Sequence, residues 1–225
     1  MATSGTATFT MDLTEIVEEA YERAGSELKS GYDFRKARRS LNLLFVDWAN
    51  RGLNMWTFEQ GTQVLAAGTA SYALPADTVD LIEHTVRTGS GTSQLDIPLT
   101  RMSVSTYATT TNKAQPGRPL KIMITRGVDA PTAVLWPVPD ANTTYTLVYW
   151  RLRRIQDATS GVQTTDVPFR FLPCLVAGLA YYLAMKDPAL VERLPMLKMA
   201  YDEAWVQAHD EDRERASVFL VPKVG

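Results

Sequence analysis

The segment Leu175-Val-Ala-Gly-Leu-Ala-Tyr-Tyr-Leu-Ala-Met-Lys186 decides the predicted fold. When it is wound as a helix, apolar side chains lie on nearly every side of it, and a helix without a polar face has to be surrounded by other protein segments. The whole apolar stretch, Leu172–Ala184, is shorter than the ~20 residues that cross a bilayer. We therefore expect other helices, and not a membrane, to cover it.

Two amphipathic helices near the N-terminus are expected to supply part of that cover. The first follows Asp12 and Glu15, which have the spacing of a capping box, and is predicted to stop at Gly25. The second is predicted to run from about Asp33 to Gly52. Their apolar stripes consist of Leu13, Ile16, Val17, Ala20, Tyr21 and Ala24 in the first helix and of Phe34, Ala37, Leu41, Leu44, Phe45 and Trp48 in the second.

Another amphipathic helix is predicted after the central one. Asp187 and Pro188 supply an N-cap and a proline at the first helical position. The apolar stripe that follows consists of Leu194, Leu197, Tyr201, Ala204, Trp205 and Ala208. Because neither helical pair has enough apolar partners alone, we predict one antiparallel helical bundle that is formed by both chain ends.

The segment between the helical pairs has a different period. From about Met55 to Ile155 it is rich in Thr, Val, Tyr and Gly, and turn signals recur at short intervals. Strands are predicted near Thr57–Leu65, Ser71–Leu74, Val79–Thr88, Gln94–Thr100, Leu120–Arg126, Ala133–Pro137 and Tyr145–Arg153. The segment is therefore expected to form a β-rich domain that is inserted into the bundle.

The predicted fold class is α+β, with helices and strands segregated. The helical bundle is expected to comprise residues 1–54 and 156–216, and the inserted β-rich domain residues 55–155. Residues 217–225 are expected to form an extended C-terminal arm.

The composition indicates a protein without catalytic chemistry. The chain of 225 residues has 23 basic and 25 acidic side chains, so its net charge of −2 predicts no general affinity for nucleic acid. His84, predicted to be half-exposed on a strand, and His209 have no second His or Cys at metal-ligand spacing. The single Cys174 is predicted to be a small buried residue. We expect no catalytic residue, no cofactor and no metal, and hence no enzyme.

One enzymatic alternative stays open at this point. The carboxylates of Asp77, Asp80 and Glu83 could provide a pair for glycoside hydrolysis. Only their spacing supports this alternative, and scattered surface acids are far commoner.

Charges on the first two helices suggest a contact between identical copies. Acidic residues lie opposite the apolar stripe of the first helix, namely Glu15, Glu18, Glu19 and Glu22. Basic residues lie away from the stripe of the second, namely Arg35, Lys36, Arg38 and Arg39. If the apolar faces meet within one subunit, the two charged faces point in different directions. A head-to-tail contact between copies would join them, and such contacts close into rings.

Other interpretations of these charges remain. Both faces can be ordinary solvated surfaces. The charges alone favour this interpretation, because an exposed ion pair contributes less than ~1 kcal/mol to the stability of a contact. The arginines could instead face DNA in a channel, or the chain could be an independent nucleic-acid-binding or regulatory module that uses Arg35–Arg39. The near-neutral charge and the lack of a base-stacking motif argue against such a module.

The chain finishes with a short apolar segment after a charged helix end. It contains Val218, Phe219, Leu220, Val221 and Val224. An apolar strand left in water is an aggregation risk. It is expected to dock either on a sheet of its own subunit or, as we favour, on a partner protein by strand addition or by insertion of Phe219 into a pocket.

An ordered set of short stretches covers most of the chain. They are Asp12–Gly25, Ala37–Leu44, Asp47–Gly52, Gly68–Pro75, Gly117–Pro119, Leu135–Asp140, Leu175–Ala184, Tyr201–Trp205 and Glu211–Arg213. This set resembles the head-to-tail adaptor family of short-tailed bacteriophages (podoviruses), whose members are also called tail accessory factors or tail tubular proteins of the A type.

The resemblance implies a homo-oligomeric ring, expected to be a dodecamer, in which a helical bundle forms the ring and carries an inserted β-rich domain. Such a ring is made in the host cytoplasm and lies in the virion, at the head–tail junction below the portal protein. Its lower rim receives downstream tail proteins such as a nozzle, a tail tube or tail fibres. Viral DNA passes through the lumen without sequence-specific binding, and no membrane is involved.

Carried onto this chain, the resemblance implies that the segment from Arg213 to Gly225 is a portal-binding arm. The residues expected to make this contact are Arg213, Arg215, Val218, Phe219, Leu220, Val221 and Pro222. Loops of the β-rich domain such as Gly89–Ser93 are expected to contact tail proteins.

Overall fold

The computed structural model describes residues 3–52 and 55–213. Its helices are α1 (Leu13–Ala24), α2 (Gly31–Arg51), α3 (Val104–Ala108), α4 (Leu172–Ala184) and α5 (Leu194–Glu211). Its strands are β1 (Phe58–Leu65), β2 (Ser71–Ala73), β3 (Thr78–Thr88), β4 (Leu95–Pro98), β5 (Thr100–Arg101), β6 (Pro116–Gly117), β7 (Lys121–Thr125), β8 (Thr132–Trp136), β9 (Val138–Pro139) and β10 (Tyr145–Arg153). These elements confirm the α+β class.

The described residues divide into two compact units. The helical unit contains the residues up to Trp56 and those from Ile155 onward, and the β unit contains Thr57–Arg154. Each unit has a hydrophobic core of its own.

Local interactions set both ends of α1. Asp12 Oδ1 accepts a hydrogen bond from the backbone N–H of Glu15, and Glu15 Oε2 accepts one from the backbone N–H of Asp12, each at 2.9 Å. The predicted capping box is therefore present. Gly25 ends the helix with φ of 90°, a left-handed conformation that glycine adopts without a side-chain clash. The predicted apolar stripe of α1 is buried.

Helices α2 and α5 begin at residues that differ from the predicted ones. Helix α2 begins at Gly31 because Ser30 caps it, and Ser30 Oγ accepts the backbone N–H of Asp33 at 3.3 Å. After Asp187 the chain first forms a 3-10 helix, Pro188–Arg193. The α-helix α5 starts only at Leu194, because the proline that follows lacks an N–H and is tolerated in the first turn of an α-helix.

Helix α4 packs against α1, α2 and α5. Most of its side chains are buried on all sides, from Leu172 to Ala184. At Gly178 an added Cβ would lie 2.8 Å from the ring of Tyr201 and 3.0 Å from a methyl group of Leu44, so the missing side chain allows close packing there. Helices from both ends of the chain thus contribute to one hydrophobic core.

An aromatic cluster lies in this core around Trp48, which is 0% exposed. The ring centroid of Trp48 lies 5.3 Å from that of Trp205, 5.6 Å from that of Phe171 and 6.3 Å from that of Phe45. Trp48 Nε1 donates a hydrogen bond to the Tyr201 hydroxyl at 2.9 Å. Burial raises the pKa of Tyr201, so this hydroxyl stays protonated.

The β unit contains two four-stranded sheets. One has the order β1-β10-β3-β4 and is antiparallel throughout. The other has the order β2-β8-β7-β5, with β5 parallel to β7, and β6 and β9 form a short parallel pair. In the first sheet Tyr149 lies opposite Gly61. An added Cβ at Gly61 would lie 2.4 Å from the Tyr149 ring, so glycine makes room for that ring over β1.

Candidate assembly surfaces

Of the four acidic residues predicted to contact another copy, two are used within the described part of their own subunit and two are not. Glu15 caps α1, and Glu19 Oε1 accepts from Arg23 Nε at 2.7 Å. Glu18 and Glu22 are exposed, and neither forms an ion pair among the residues that the structure describes. We call Glu18 and Glu22 the acidic pair. They lie one helical turn apart on α1 and remain available to an outside partner.

The predicted arginines of α2 also differ from one another. Arg38 Nη1 donates to the backbone oxygen of Thr159 at 2.6 Å, so this side chain is used inside its own subunit. Arg35 and Arg39 are exposed and form no ion pair within the described part of the chain. Of the three arginines, these two are left for a contact with another molecule.

Lys186, which sequence reasoning missed, joins the cations of α2. Its Nζ donates to Ser40 Oγ at 2.5 Å, and Ser40, which is 0% exposed, donates to the backbone oxygen of Lys36 at 3.2 Å. Burial lowers the pKa of Lys186, and the positive charges of Arg39 and Lys36 lower it further. We call Lys36, Arg39 and Lys186 the basic cluster. No local pattern indicates it, because Ser40 and Lys186 are 146 residues apart in sequence.

An apolar groove lies on the helical unit. Phe9 and Phe169, which are 79% and 76% exposed, line it together with Met11, Leu172 and Val176. Its volume is about 1000 Å³. Exposed apolar surfaces of this kind mark sites of contact with other proteins. The groove could not be predicted, because Phe9 and Phe169 belong to no helical stripe.

The residue that precedes the predicted portal-binding arm is anchored in the helical unit. The buried carboxylate of Asp212 accepts the backbone N–H of Met55 at 2.9 Å and forms an ion pair with Arg170. Arg213, the first predicted arm residue, is exposed. The other predicted contact residues, Arg215, Val218, Phe219, Leu220, Val221 and Pro222, lie outside the described residues.

The aspartates considered for hydrolysis are paired with arginines of the β unit. A hydrogen bond from Arg151 at 2.5 Å lowers the pKa of Asp77. Burial of Asp80 raises its pKa, but hydrogen bonds from Arg101 and Arg126 outweigh burial, and the pKa of Asp80 is lowered. A general acid of a glycosidase needs a raised pKa, so these two aspartates are unsuited to that role.

His84 is buried, and the prediction of a half-exposed residue is wrong. It is 8% exposed and lies two residues before the buried Val86, on the face of the sheet that packs into the core of the β unit. Its Nδ1 has no hydrogen-bond partner among the residues that the structure describes, and burial, followed by the charge of Arg101, lowers its pKa. The imidazole is therefore neutral near pH 7. The adjacent Glu83 is exposed, and His209 is exposed and stacks on Trp205.

The other residues that were considered for chemistry have no reactive setting. Cys174 is buried, as predicted, and burial raises the pKa of its thiol to about 12. Within the described ranges, no three His, Cys, Asp or Glu side chains gather as a possible metal site. The loop Gly89–Ser93 is exposed and contains a 3-10 turn. Its predicted contact with tail proteins stays a prediction.

The comparisons with known proteins give one family. The model of the SU10 adaptor protein family matches residues 11–222, which cover almost the whole chain. No curated protein matches the sequence. None of the helices in the described part of the chain combines the length and the apolar character that crossing a membrane requires.

Proposed function

Because this chain belongs to the SU10 adaptor protein family, we propose that it is a subunit of the head-to-tail adaptor ring of a short-tailed bacteriophage. The observation that carries this proposal is the family match over residues 11–222, which spans the helices of both chain ends and the strands between them. Family membership supports a structural role in the virion and association with portal and tail proteins in general.

In this proposal the helices of both chain ends form an antiparallel bundle that builds the ring, expected to contain twelve copies. The shared core of α1, α2, α4 and α5 supports this division of the chain. The β unit, with its separate core, is the inserted domain and turns exposed loops such as Gly89–Ser93 towards tail proteins. Viral DNA passes through the lumen of the ring.

The segment from Arg213 to Gly225 is the proposed portal-binding arm. Asp212 supports this assignment, because its bonds to Met55 and Arg170 fix the point from which the arm starts. The apolar residues Val218–Val221 would then be covered by the portal protein and not by water. The arm would connect a rigid helical unit to a second protein.

The described residues support a role in binding more than one in catalysis. Asp77 and Asp80 are held ionised by arginines. The thiol of Cys174 is buried and protonated at neutral pH. In the described part of the helical unit, the acidic pair, the basic cluster and the apolar groove are instead surfaces available to another protein.

Electron microscopy of the chain mixed with the portal protein of the same phage tests the proposal. We expect a ring of this protein below the portal. If the unchanged chain adds no density to the portal, the adaptor assignment is wrong.

Deletion of residues 217–225 tests the arm separately. We expect the same thermal unfolding as for the unchanged chain but no ring on the portal. A matched control replaces these residues by a Gly/Ser sequence of equal length, which should fail in the same way. Normal docking of either variant would refute the arm assignment.

A further inference from the structure

We infer that the basic cluster receives the acidic pair of a second copy of this chain, so that Lys36, Arg39 and Lys186 of one subunit meet Glu18 and Glu22 of the next. This inference rests on the proposed function, because it names the contact that joins neighbouring copies. It adds Lys186 to the predicted interface. It also removes Glu15, Glu19 and Arg38, which are used within their own subunit.

The basic cluster is held in place by the fold. Ser40 is fully buried on α2, and its hydroxyl links the Lys186 ammonium to the backbone oxygen of Lys36. Lys186 also follows the C-terminal end of α4, where the helix dipole favours a cation. Arg39 lies one residue before Ser40 on the same helix. The charges are thus brought together by packing and not by an anion in the same subunit.

The basic cluster is not neutralised within its own subunit. Both charges that act on the pKa of Lys186 are positive, those of Arg39 and Lys36. Three carboxylates line a cleft together with Lys36, those of Glu27, Asp33 and Asp187. Asp33 accepts from Ser30 Oγ at 2.8 Å and Asp187 from the backbone N–H of Ala189 at 3.0 Å, both at helix caps. Glu27 is exposed and forms no ion pair with the cluster among the described residues. An outside anion would relieve the repulsion among the three cations.

The acidic pair is the anion that the chain itself offers. Glu18 and Glu22 are four residues apart on α1, and Lys36 and Arg39 are three residues apart on α2, so both sets have the spacing of neighbours on a helix surface. Neither set finds an ion-pair partner among the described residues. The net charge of −2 argues against a polyanion as the partner. A contact between two different surfaces of identical chains is head-to-tail and can close a ring.

Two charge-reversed variants test the contact. Variant A carries Arg39→Glu and Lys186→Glu, and variant B carries Glu18→Lys and Glu22→Lys. In a head-to-tail interface, A would place acid against acid and B base against base. Each alone should assemble at least about tenfold more weakly than the unchanged chain, because close charge pairs across interfaces couple by this amount or more. An equal mixture of A and B should restore assembly, since A and B can alternate around the ring.

Assembly is measured by sedimentation at increasing protein concentration and by ring density on the portal. The matched control carries Lys113→Glu and Lys198→Glu, which makes the same change in net charge as variant A at exposed lysines outside the cluster and its cleft, and it should assemble normally. Circular dichroism and thermal unfolding show whether A and B are folded as the unchanged chain is.

The outcomes separate the alternatives. Normal assembly of A and of B alone overturns the inference and leaves the faces as solvated surfaces. Weak assembly of A that B does not rescue, with loss of salt-dependent binding to duplex DNA, overturns it in favour of nucleic acid. Rescue in solution without binding to the portal supports the inference and refutes the adaptor assignment. An unchanged chain that is monomeric under every condition, portal included, overturns the inference.

Discussion

The helical unit and the β unit differ in how their charges are paired. In the β unit, Arg151 contacts Glu59 at 2.6 Å and Asp77 at 2.5 Å, and Arg87 contacts Asp96 at 2.7 Å. These ion pairs all lie within the unit. The helical unit also contains ion pairs, of Arg23 with Glu19, Arg51 with Asp47 and Arg170 with Asp212, but its basic cluster and its acidic pair form none among the described residues.

This difference indicates what stabilises each unit. The β unit uses ion pairs between strands in addition to its apolar core, so its charged residues contribute to its own stability. The helical unit is held together by apolar and aromatic packing around α4. Its unpaired charges contribute little to its fold, and they are free to determine which surface another subunit contacts. The following predictions test this comparison.

The largest effect is expected from Trp48→Ala in the helical core. The free energy of unfolding should fall by about 3–5 kcal/mol, because the change leaves a cavity and removes the hydrogen bond to Tyr201. Chemical denaturation combined with hydrogen exchange of peptides measures the loss in each unit. As a control, Trp150→Ala, at a residue 47% exposed in the β unit, should lower the free energy of unfolding by less than ~1 kcal/mol. Equal losses would contradict the assignment of stability to the aromatic cluster.

A smaller effect is expected from Arg151→Met. The Arg151 side chain is 9% exposed, so its loss removes the nearest cation from Glu59 and Asp77 at the edge of the core and leaves Glu59 only its longer contact with Arg153 at 3.9 Å. The β unit should lose about 1–3 kcal/mol of stability in chemical denaturation. Arg87→Met, which breaks a more exposed pair, should leave stability unchanged within error. Equal losses of stability in both variants would contradict the prediction that burial of Arg151 determines how much its ion pairs stabilise the β unit.

A pH-dependent effect is expected from His84→Gln. The pKa of His84 is lowered below its ordinary 6.5 in the folded chain, so the unfolded chain takes up the proton first as the pH falls. Because of this difference in pKa between the folded and the unfolded chain, the free energy of unfolding of the β unit falls as the pH drops from 6.5 to the lowered pKa of folded His84. Thermal unfolding between about pH 5 and pH 8 should therefore show a weaker loss of stability in acid for His84→Gln. His209→Gln, at an exposed residue, should keep the original pH dependence, and an unchanged profile for His84→Gln would contradict the prediction.

The smallest effect is expected from Arg39→Gln. Removing one cation relieves repulsion with Lys186, so calorimetry should show a gain in stability on the order of 0.3 kcal/mol. The neighbouring change Arg38→Gln removes the hydrogen bond to the backbone oxygen of Thr159 and should lower stability instead. A loss of stability in Arg39→Gln would mean that Arg39 has a partner in its own subunit, against the comparison drawn above.

Much of the secondary structure could be predicted, because it depends on neighbours in sequence. The capping box of Asp12 and Glu15 involves residues three apart, and the apolar stripe of α1 follows directly from helical spacing. Helix α2 begins earlier than predicted, because Ser30 caps it three residues before Asp33. The prediction of a half-exposed His84 is wrong, because which face of a strand packs into the core depends on distant segments and not on the residues of the strand itself.

The amino-acid sequence alone determined the succession of a helical, a strand-rich and a second helical segment, the apolar character of α4 and the presence of oppositely charged faces on α1 and α2. These features follow from side-chain chemistry and from periodicity along a single segment. Only the tertiary structure decided which charges are left without a partner. Arg38 bonds to Thr159, 121 residues away, and Lys186 to Ser40, 146 residues away. Such pairs form because packing of distant segments brings donors and acceptors within bonding distance, which no local pattern encodes.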